Sequence, residues 1–493
     1  MKQEHITDIE ELQGYFMKRM CDYVRSKGRE VIGWDELTNS TLPDSVIILG
    51  WQGFGTAALK AARQGHRFIM TPARIMYLIC YQGPQWFEPL TYFGNNTLKN
   101  VYDYEPVQED WEPEIIPLQI GAETVVCKNR YKYLDRCQND EVCICEMSQA
   151  DSAQVEKIIE IAETDPAEWR KTTLEERHRI MYEAANRLAD MRGDLIGCMC
   201  AVTGKTVIEG DVEVSEAVDY ARFYTTAMKK FAALDDIEIK PKGTILVISP
   251  WNFPCAIPVG GIVAGLAGGN TVILKPATVA APVAWMFAKA FWDAGVPKEA
   301  LQVIITRREA LKVLTTAPAI KHIILTGGTD TAQNIAKANP TTPLSAETGG
   351  KNVIILTASG DRDHAIMNIV TSAFGNAGQK CSACSLLLVE RSVYEDENFR
   401  SKLKDAATSL KTGSVWNAGN IVGPMITNKN DKLLQAFNLE PGESWLVPPR
   451  FIDRREYILA PTVKWGVKPE SFSFRTELFG PLLSVACIEN LEE

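Results

Sequence analysis

Apolar and polar positions follow two different rhythms along the chain. From Leu12 to Lys27 apolar residues recur at helical spacing, and an apolar run from Glu30 to Gly33 leads into Trp34–Asp35–Glu36. Val46 to Gly50 and Phe68 to Thr71 read as strands, with Thr56 to Gln64 as an Ala-rich helix between them. Strand ends bearing Trp, Asp and Tyr are what successive βα units of a (β/α)8 barrel present at one face. About three such units fit before Val107, too few to close a barrel.

The texture then changes. Gln108 to Gln119 is acidic and proline-bearing and reads as a junction. Asp151 is placed to cap a helix whose Val155, Ile158, Ile159 and Ala162 share one face, and Thr173 with Glu176 has capping-box spacing before a second amphipathic helix. Between Thr244 and Leu356, β-rich runs at Thr244 to Ser249, Thr271 to Leu274, Gln302 to Ile305, His322 to Leu325 and Val353 to Leu356 alternate with helical spacing, as at Ala280 to Ala294. Continuous apolar strands separated by helices predict a parallel sheet covered on both faces, a nucleotide-binding architecture. The G-x-G-x-x-G fingerprint is absent, and there is no internal repeat.

Composition narrows the partners. Sixty-two acidic against 52 basic side chains give a net charge of −10 over 493 residues, 46% of them apolar. At roughly 100–200 residues per domain, several domains are expected. No basic stripe stands out, which disfavours nucleic acid and anionic membrane and favours a small-molecule ligand. The polar start of the chain lacks a signal-peptide core, and twelve dispersed cysteines suit free thiols in the cytoplasm rather than a disulfide scaffold. Ile257 to Leu274 is weakly polar but glycine-rich, fitting a closely packed helix and strand better than a lipid span. The cysteine spacings do not form a zinc site, so no metal is expected.

Four features carry candidate chemistry. Ser249–Pro250–Trp251–Asn252–Phe253–Pro254 follows a strand and holds an amide between two prolines. Lys275–Pro276 places an ammonium at the same sheet edge, Glu347–Thr348–Gly349–Gly350 sets a carboxylate before glycines, and Cys381 follows the glycine-bordered turn Gly375 to Lys380. Taken singly, these are a loop-capping amide, a solvated strand end, a surface carboxylate and a packed thiol. As an ordered set they match one family.

From about Glu123 to the last residue the chain resembles the aldehyde dehydrogenase superfamily. The match runs through Pro250–Trp251–Asn252–Phe253–Pro254, Lys275–Pro276–Ala277, Leu325–Thr326–Gly327, Glu347 to Lys351, Gly378–Gln379–Lys380–Cys381 and Glu477–Leu478–Phe479–Gly480–Pro481. The surroundings of Cys381 look most like the glutamate-semialdehyde (pyrroline-5-carboxylate) dehydrogenases, including the dehydrogenase half of bifunctional proline-catabolic enzymes. The resemblance implies NAD(P)-dependent oxidation of an aldehyde to the carboxylate through a cysteine thioester. Cys381 would be the nucleophile, Asn252 the oxyanion donor and Glu347 the residue that activates water. Lys275 and Glu477 would take the adenine-side and nicotinamide-side riboses, Phe479 and Trp251 would line the cofactor pocket, and Gly327 with Gly328 would admit the pyrophosphate to a helix N-terminus. Thr278 stands where NAD-preferring members often carry Glu, which leaves NAD and NADP both open, and Gly328 replaces the usual Ser. The family runs on the order of 100 residues, less than a typical domain, past the motif that ends here at Pro481, so the catalytic domain and the arm for homo-oligomer formation are expected to be incomplete.

Residues 1–107 resemble instead the later strands of the β-N-acetylhexosaminidase barrel, through Gly33–Trp34–Asp35–Glu36, Gly50–Trp51–Gln52–Gly53, Gly65–His66 with Met70–Thr71–Pro72, and Tyr81–Gln82–Gly83. That resemblance implies Trp34, Trp51 and Tyr77 as walls of a sugar pocket. The family's adjacent Asp–Glu pair lies on a strand preceding this segment, and Asp35–Glu36 does not replace it. The expected organisation is α/β throughout: a partial (β/α)8-barrel fragment over 1–107, a junction over 108–122, a Rossmann-type dinucleotide-binding domain over 123–345, and a C-terminally truncated α/β catalytic domain over 346–493. Two other readings stand beside the dehydrogenase: a hexosaminidase fragment without its acid/base pair, and a non-catalytic dinucleotide-binding fusion remnant.

Overall fold

A computed structural model describes residues 9–39, 42–43, 45–52, 56–73, 114–135, 137, 142–235, 238–306, 308–428 and 430–490. The chain divides into two compact units, Met1–Glu112 and Pro113–Glu493.

In the first unit, helix α1 (Ile9–Ser26) precedes three parallel strands in the order β1 (Ile32–Trp34), β2 (Ile47–Gly50) and β3 (Phe68–Met70), with α2 (Thr56–Arg63) crossing from β2 to β3. Cys21, Leu37, Val46, Ile48 and Ala61 form its core. The helix–strand rhythm expected from the apolar spacing is therefore present as consecutive parallel units, the register running through Trp34 opposite Leu49 and Gly50 opposite Met70.

The second unit opens on short strands, β4 (Glu114–Ile116), β5 (Leu118–Ile120), β6 (Glu123–Val125), β7 (Arg130–Leu134) and β8 (Cys143–Ser148). Asp151 caps α3 (Ser152–Thr164) with a complete capping box closed by Gln154, and Val155, Ile158, Ile159 and Ala162 are buried as their spacing predicts. At α4 (Leu174–Asp190) Thr173 accepts from the Glu176 backbone N–H, while the Glu176 carboxylate pairs with Arg179 instead of turning back to the cap. Helices α5 (Arg192–Thr203) and α6 (Val207–Ala232) follow.

The five-stranded sheet that comes next has the order β11 (Leu301–Val303), β10 (Thr271–Lys275), β9 (Thr244–Ile248), β12 (Ile320–Thr326), β13 (Leu344–Glu347), all parallel. Helices α7 (Ala256–Ala267) and α8 (Ala281–Asp293) lie between its strands in sequence. The glycines of α7 allow close approach: a Cβ on Gly261 would sit 2.8 Å from Val247 Cγ1, and one on Gly265 2.6 Å from Val272 Cγ2. Leu246, Ile273 and Ile323 are fully buried, each contributing roughly 1.5–3 kcal/mol. No described helix is long and apolar enough to cross a membrane.

One strand assignment is corrected. Val353 to Leu356 does not close the nucleotide-type sheet; β14 (Asn352–Leu356) is the edge of a second sheet, ordered β14, β15 (Cys384–Glu390), β18 (Leu482–Ile488), β17 (Thr462–Trp465), β16 (Ser444–Val447). The last strand of the first sheet is β13, whose Leu-Ser-Ala-Glu sequence is largely exposed at an edge and so carries no apolar run for a sequence reading to detect.

Candidate active site

The register of the first sheet brings its strand ends to one level. Lys275 is paired with Ile248, Ile248 with Leu325, and Thr326 with Glu347. From central β9 the next strand in sequence lies to one side and β12 to the other, so the chain leaves the carboxyl edge in opposite directions, the arrangement that opens a crevice there. A cleft of about 680 Å³ occupies this edge, within the range of roughly 300–1,000 Å³ common for small-molecule and cofactor sites. Trp251, Asn252, Lys275 and Gly327 line it from the nucleotide-type sheet, and Glu347, Cys381, Glu477 and Phe479 complete it. Every catalytic or cofactor-binding residue expected from the sequence is on this one surface.

Cys381 is presented by a strained loop. After α10 (Arg362–Phe374), Asn376, Ala377 and Gly378 take φ values of 50°, 53° and 67° in succession, and left-handed backbone at the two non-glycine positions costs about 1–3 kcal/mol each. Gln379, 1% exposed, holds the turn: its Oε1 accepts from the Ile426 N–H at 2.8 Å and its Nε2 donates to the Asn376 carbonyl at 3.1 Å. Gly378 is required for more than its φ, because a Cβ there would run into the Gly480 carbonyl. Asn352 then donates its side-chain amide to the carbonyls of Cys381 and Ala383. The result is an exposed thiol on a pinned backbone. Cys384 differs: it is buried, desolvation pushes its thiol up to about 11, and its Sγ donates to the Leu386 carbonyl at 3.3 Å.

The opposite wall holds polar groups without partners. Asn252 is 5% exposed, and its side-chain amide makes no hydrogen bond among the described residues. Ser249 Oγ is likewise buried and unpaired. The Lys275 ammonium has no partner among the described residues, and burial holds its pKa below the ordinary lysine range. Leaving such groups dry and unpaired is costly, so a polar ligand in the cleft is the natural complement. Gly328 is the N-cap of α9 (Thr329–Ala338), placing backbone N–H groups and a bare Gly327–Gly328 surface at the cleft, as a pyrophosphate requires. Trp251 and Phe479 meet edge to face with centroids 5.6 Å apart, Phe479 being held at φ 50°. Glu477 Oε1 accepts from the Gly350 N–H at 3.3 Å, which ties this carboxylate to the glycines after Glu347. These residues fit a dinucleotide. Thr278 lies in a short 3-10 turn, Thr278–Ala280, outside the cleft lining, and its carbonyl accepts from the Tyr133 hydroxyl at 2.6 Å.

Several supporting residues escaped the sequence reading. Asn352 directly follows the Glu347–Lys351 motif, so its position was a usable signal. Lys351, whose Nζ donates to the Ser385 carbonyl at 3.3 Å, is pushed down to about 8 by burial, with Cys384 and Glu477 opposing the shift. Because its folded pKa lies below its unfolded value, the unfolded chain holds the proton between about pH 8 and 10.5, and stability gained from this group rises with pH across that window. Relative to Lys351→Met, the wild-type chain is expected to gain about 1–3 kcal/mol from pH 7.5 to pH 10 in denaturant titrations. A flat difference would remove the depressed lysine.

In the first unit, Trp34 and Trp51 meet edge to face at 6.2 Å, and Trp51 Nε1 donates to the Glu36 carboxylate at 3.2 Å. Asp35 is buried, which raises its carboxyl above the usual range, and its Oδ2 accepts from the Gln52 N–H at 2.9 Å. Tyr77 lies outside the described residues.

A parallel-sheet crevice thus brings together a thiol, an amide, a carboxylate and a lysine without a partner among the described residues. Residues 128–493 match the aldehyde dehydrogenase family, and the chain belongs to that family. Membership carries the reaction class, oxidation of an aldehyde with a nicotinamide dinucleotide as hydride acceptor. A Geobacillus 1-pyrroline-5-carboxylate dehydrogenase is 31% identical, the alignment covering 81% of this chain and 82% of that protein, and one from Bacillus licheniformis is 28% identical over 83% of each. The Thermus 1-pyrroline-5-carboxylate dehydrogenase structure with bound NAD superposes with a TM-score of 0.72 at 29% identity, covering 77% of both chains. Residues 1–119 separately match the catalytic domain of glycosyl hydrolase family 20.

Proposed function

We propose that the second unit oxidises glutamate 5-semialdehyde, the open form of 1-pyrroline-5-carboxylate, to glutamate with NAD, using Cys381 as nucleophile, Asn252 as oxyanion donor and Glu347 as general base. The observation that carries this reading is the convergence of those three side chains with Lys275, Glu477 and Phe479 on one cleft. The substrate assignment is supported by the relatives named 1-pyrroline-5-carboxylate dehydrogenase.

The Cys381 thiolate adds to the aldehyde carbon, and the carbonyl oxygen takes the negative charge. The Asn252 amide, on the cleft wall and without a competing acceptor, meets that oxygen together with the Cys381 backbone N–H, a stabilisation of roughly 3–4 kcal/mol for a donor of this kind. Lys275 and Glu477 would hold the two riboses of the dinucleotide, and the N-terminus of the helix beginning at Thr329 would hold its pyrophosphate. The chemistry NAD supplies when bound is acceptance of the hydride that leaves as the adduct becomes a thioester. Glu347 then takes a proton from the water that attacks the thioester, and Cys381 departs as thiolate. The test is the purified 493-residue chain against a panel of aldehydes with NAD or NADP. Glutamate 5-semialdehyde with NAD is expected to give the highest kcat/KM, and no reduced nicotinamide with any aldehyde would refute the reading.

A further inference from the structure

The thiol and the amide come from different sheets, yet both of their loops are fastened to the same helix. Glu209 and Glu213 lie four residues apart in the first two turns of α6, on one face. Glu209 grips Lys380, the residue before Cys381, with its two carboxylate oxygens 2.6 and 2.8 Å from Nζ. The nucleophile loop is pressed against this contact: a Cβ on Gly375 would lie 3.0 Å from Glu209 Oε1. One turn further on, the fully buried Glu213 Oε1 accepts from the backbone N–H groups of Cys255 and Ala256 at 2.7 and 3.2 Å, the amides that follow the Asn252 loop at the start of α7. Its other oxygen pairs with buried Lys205, whose ammonium sits 4.2 Å from the centroid of the Phe253 ring, next to Asn252.

We propose that the first two turns of α6 are the mount that sets the thiol against the oxyanion-binding amide, with Glu209 and Glu213 as positioning residues rather than catalytic ones. The inference rests on the nucleophile reading of Cys381 given above. What both carboxylates supply is an acceptor at a fixed place. Glu209 fixes the loop through one lysine. Glu213 satisfies helix N-terminal amides that the backbone alone leaves without partners. An amide carbonyl in the same position does the same work, whereas removing the acceptor lets the loop drift. A displacement of about 1 Å at reacting atoms costs up to about a hundredfold in rate.

The test compares truncation with conservative replacement at each post. Glu209→Ala is expected to lower kcat about ten- to a hundredfold at every pH between 6 and 9, with the KM for NAD little changed and the melting temperature close to wild type, since the bridge is partly exposed. Glu209→Gln is expected to recover to within about threefold of wild type. At the buried post the lysine charge is removed in both arms, so that neither leaves an unpaired ion. Lys205→Met with Glu213→Gln should turn over much faster than Lys205→Met with Glu213→Ala, at equal NAD affinity by calorimetry. Glu209→Gln falling as far as Glu209→Ala with a shifted pH profile would mean a charge effect and overturn the mount. So would equal turnover of the two Lys205 double variants. Cys381→Ser in the same assay separates the two failures: turnover that survives it removes the nucleophile reading, whereas turnover abolished by it beside unchanged Glu209→Ala kinetics removes the mount alone.

Discussion

Cys381→Ala is expected to abolish aldehyde oxidation, lowering kcat by at least about 10⁴-fold, while NAD affinity and melting temperature stay near wild type. The size follows from what is lost. With Cys381 as the proposed nucleophile, no covalent adduct forms without the sulfur, and binding with oxyanion stabilisation alone leaves a small residue of the rate in nucleophilic enzymes. Stability is spared because the side chain is exposed and its loop is held by other groups, Gln379 on Ile426 and Asn352 on the Cys381 carbonyl. Fluorescence or calorimetric titration with NAD and a thermal melt separate these outcomes. Loss of NAD binding together with activity would mean that Cys381 supports the cleft instead of acting in it. The neighbouring Cys384 provides the internal contrast: its buried thiol, already hydrogen-bonded to Leu386, should react with iodoacetamide far more slowly than Cys381.

How much of this was legible in the sequence depended on the physics of each part. Strands β9 and β10 showed themselves because both faces are covered and their middle positions form unbroken apolar runs, and following them put Asn252 and Lys275 at the edge where the cleft lies, whereas Gly327 came from the family resemblance. Strand β13 did not, because an exposed edge needs no hydrophobic pattern, and its neighbour β14 was consequently assigned to the wrong sheet. The residues that hold the site were harder still. Lys205 and Glu213 look like surface charges in sequence, and only the three-dimensional pairing makes their complete burial tolerable. Lys380 and Glu209 are 171 positions apart, a separation over which no local spacing rule operates. The positive φ values at Asn376, Ala377 and Phe479 are equally silent, since none of these is the glycine that would announce a left-handed turn.

Glu347→Gln should separate the two halves of the reaction. Glu347 ends β13, exposed at the cleft, with its backbone carbonyl accepting from the Gly327 N–H at 3.0 Å, so the exchange to an amide leaves the fold untouched. If its carboxylate serves the water, acylation proceeds in the variant and hydrolysis does not. Rapid mixing with aldehyde and NAD is then expected to give a burst of NADH approaching one equivalent per active chain, followed by a steady rate about 10²–10⁴-fold below wild type. Mass spectrometry of the quenched protein should find the acyl group on the peptide containing Cys381. The competing role, deprotonation of the thiol, predicts a different trace, with the burst phase itself slowed and no acyl-enzyme accumulating. The same carboxylate cannot give both traces, so the shape of the first turnover decides which proton it moves.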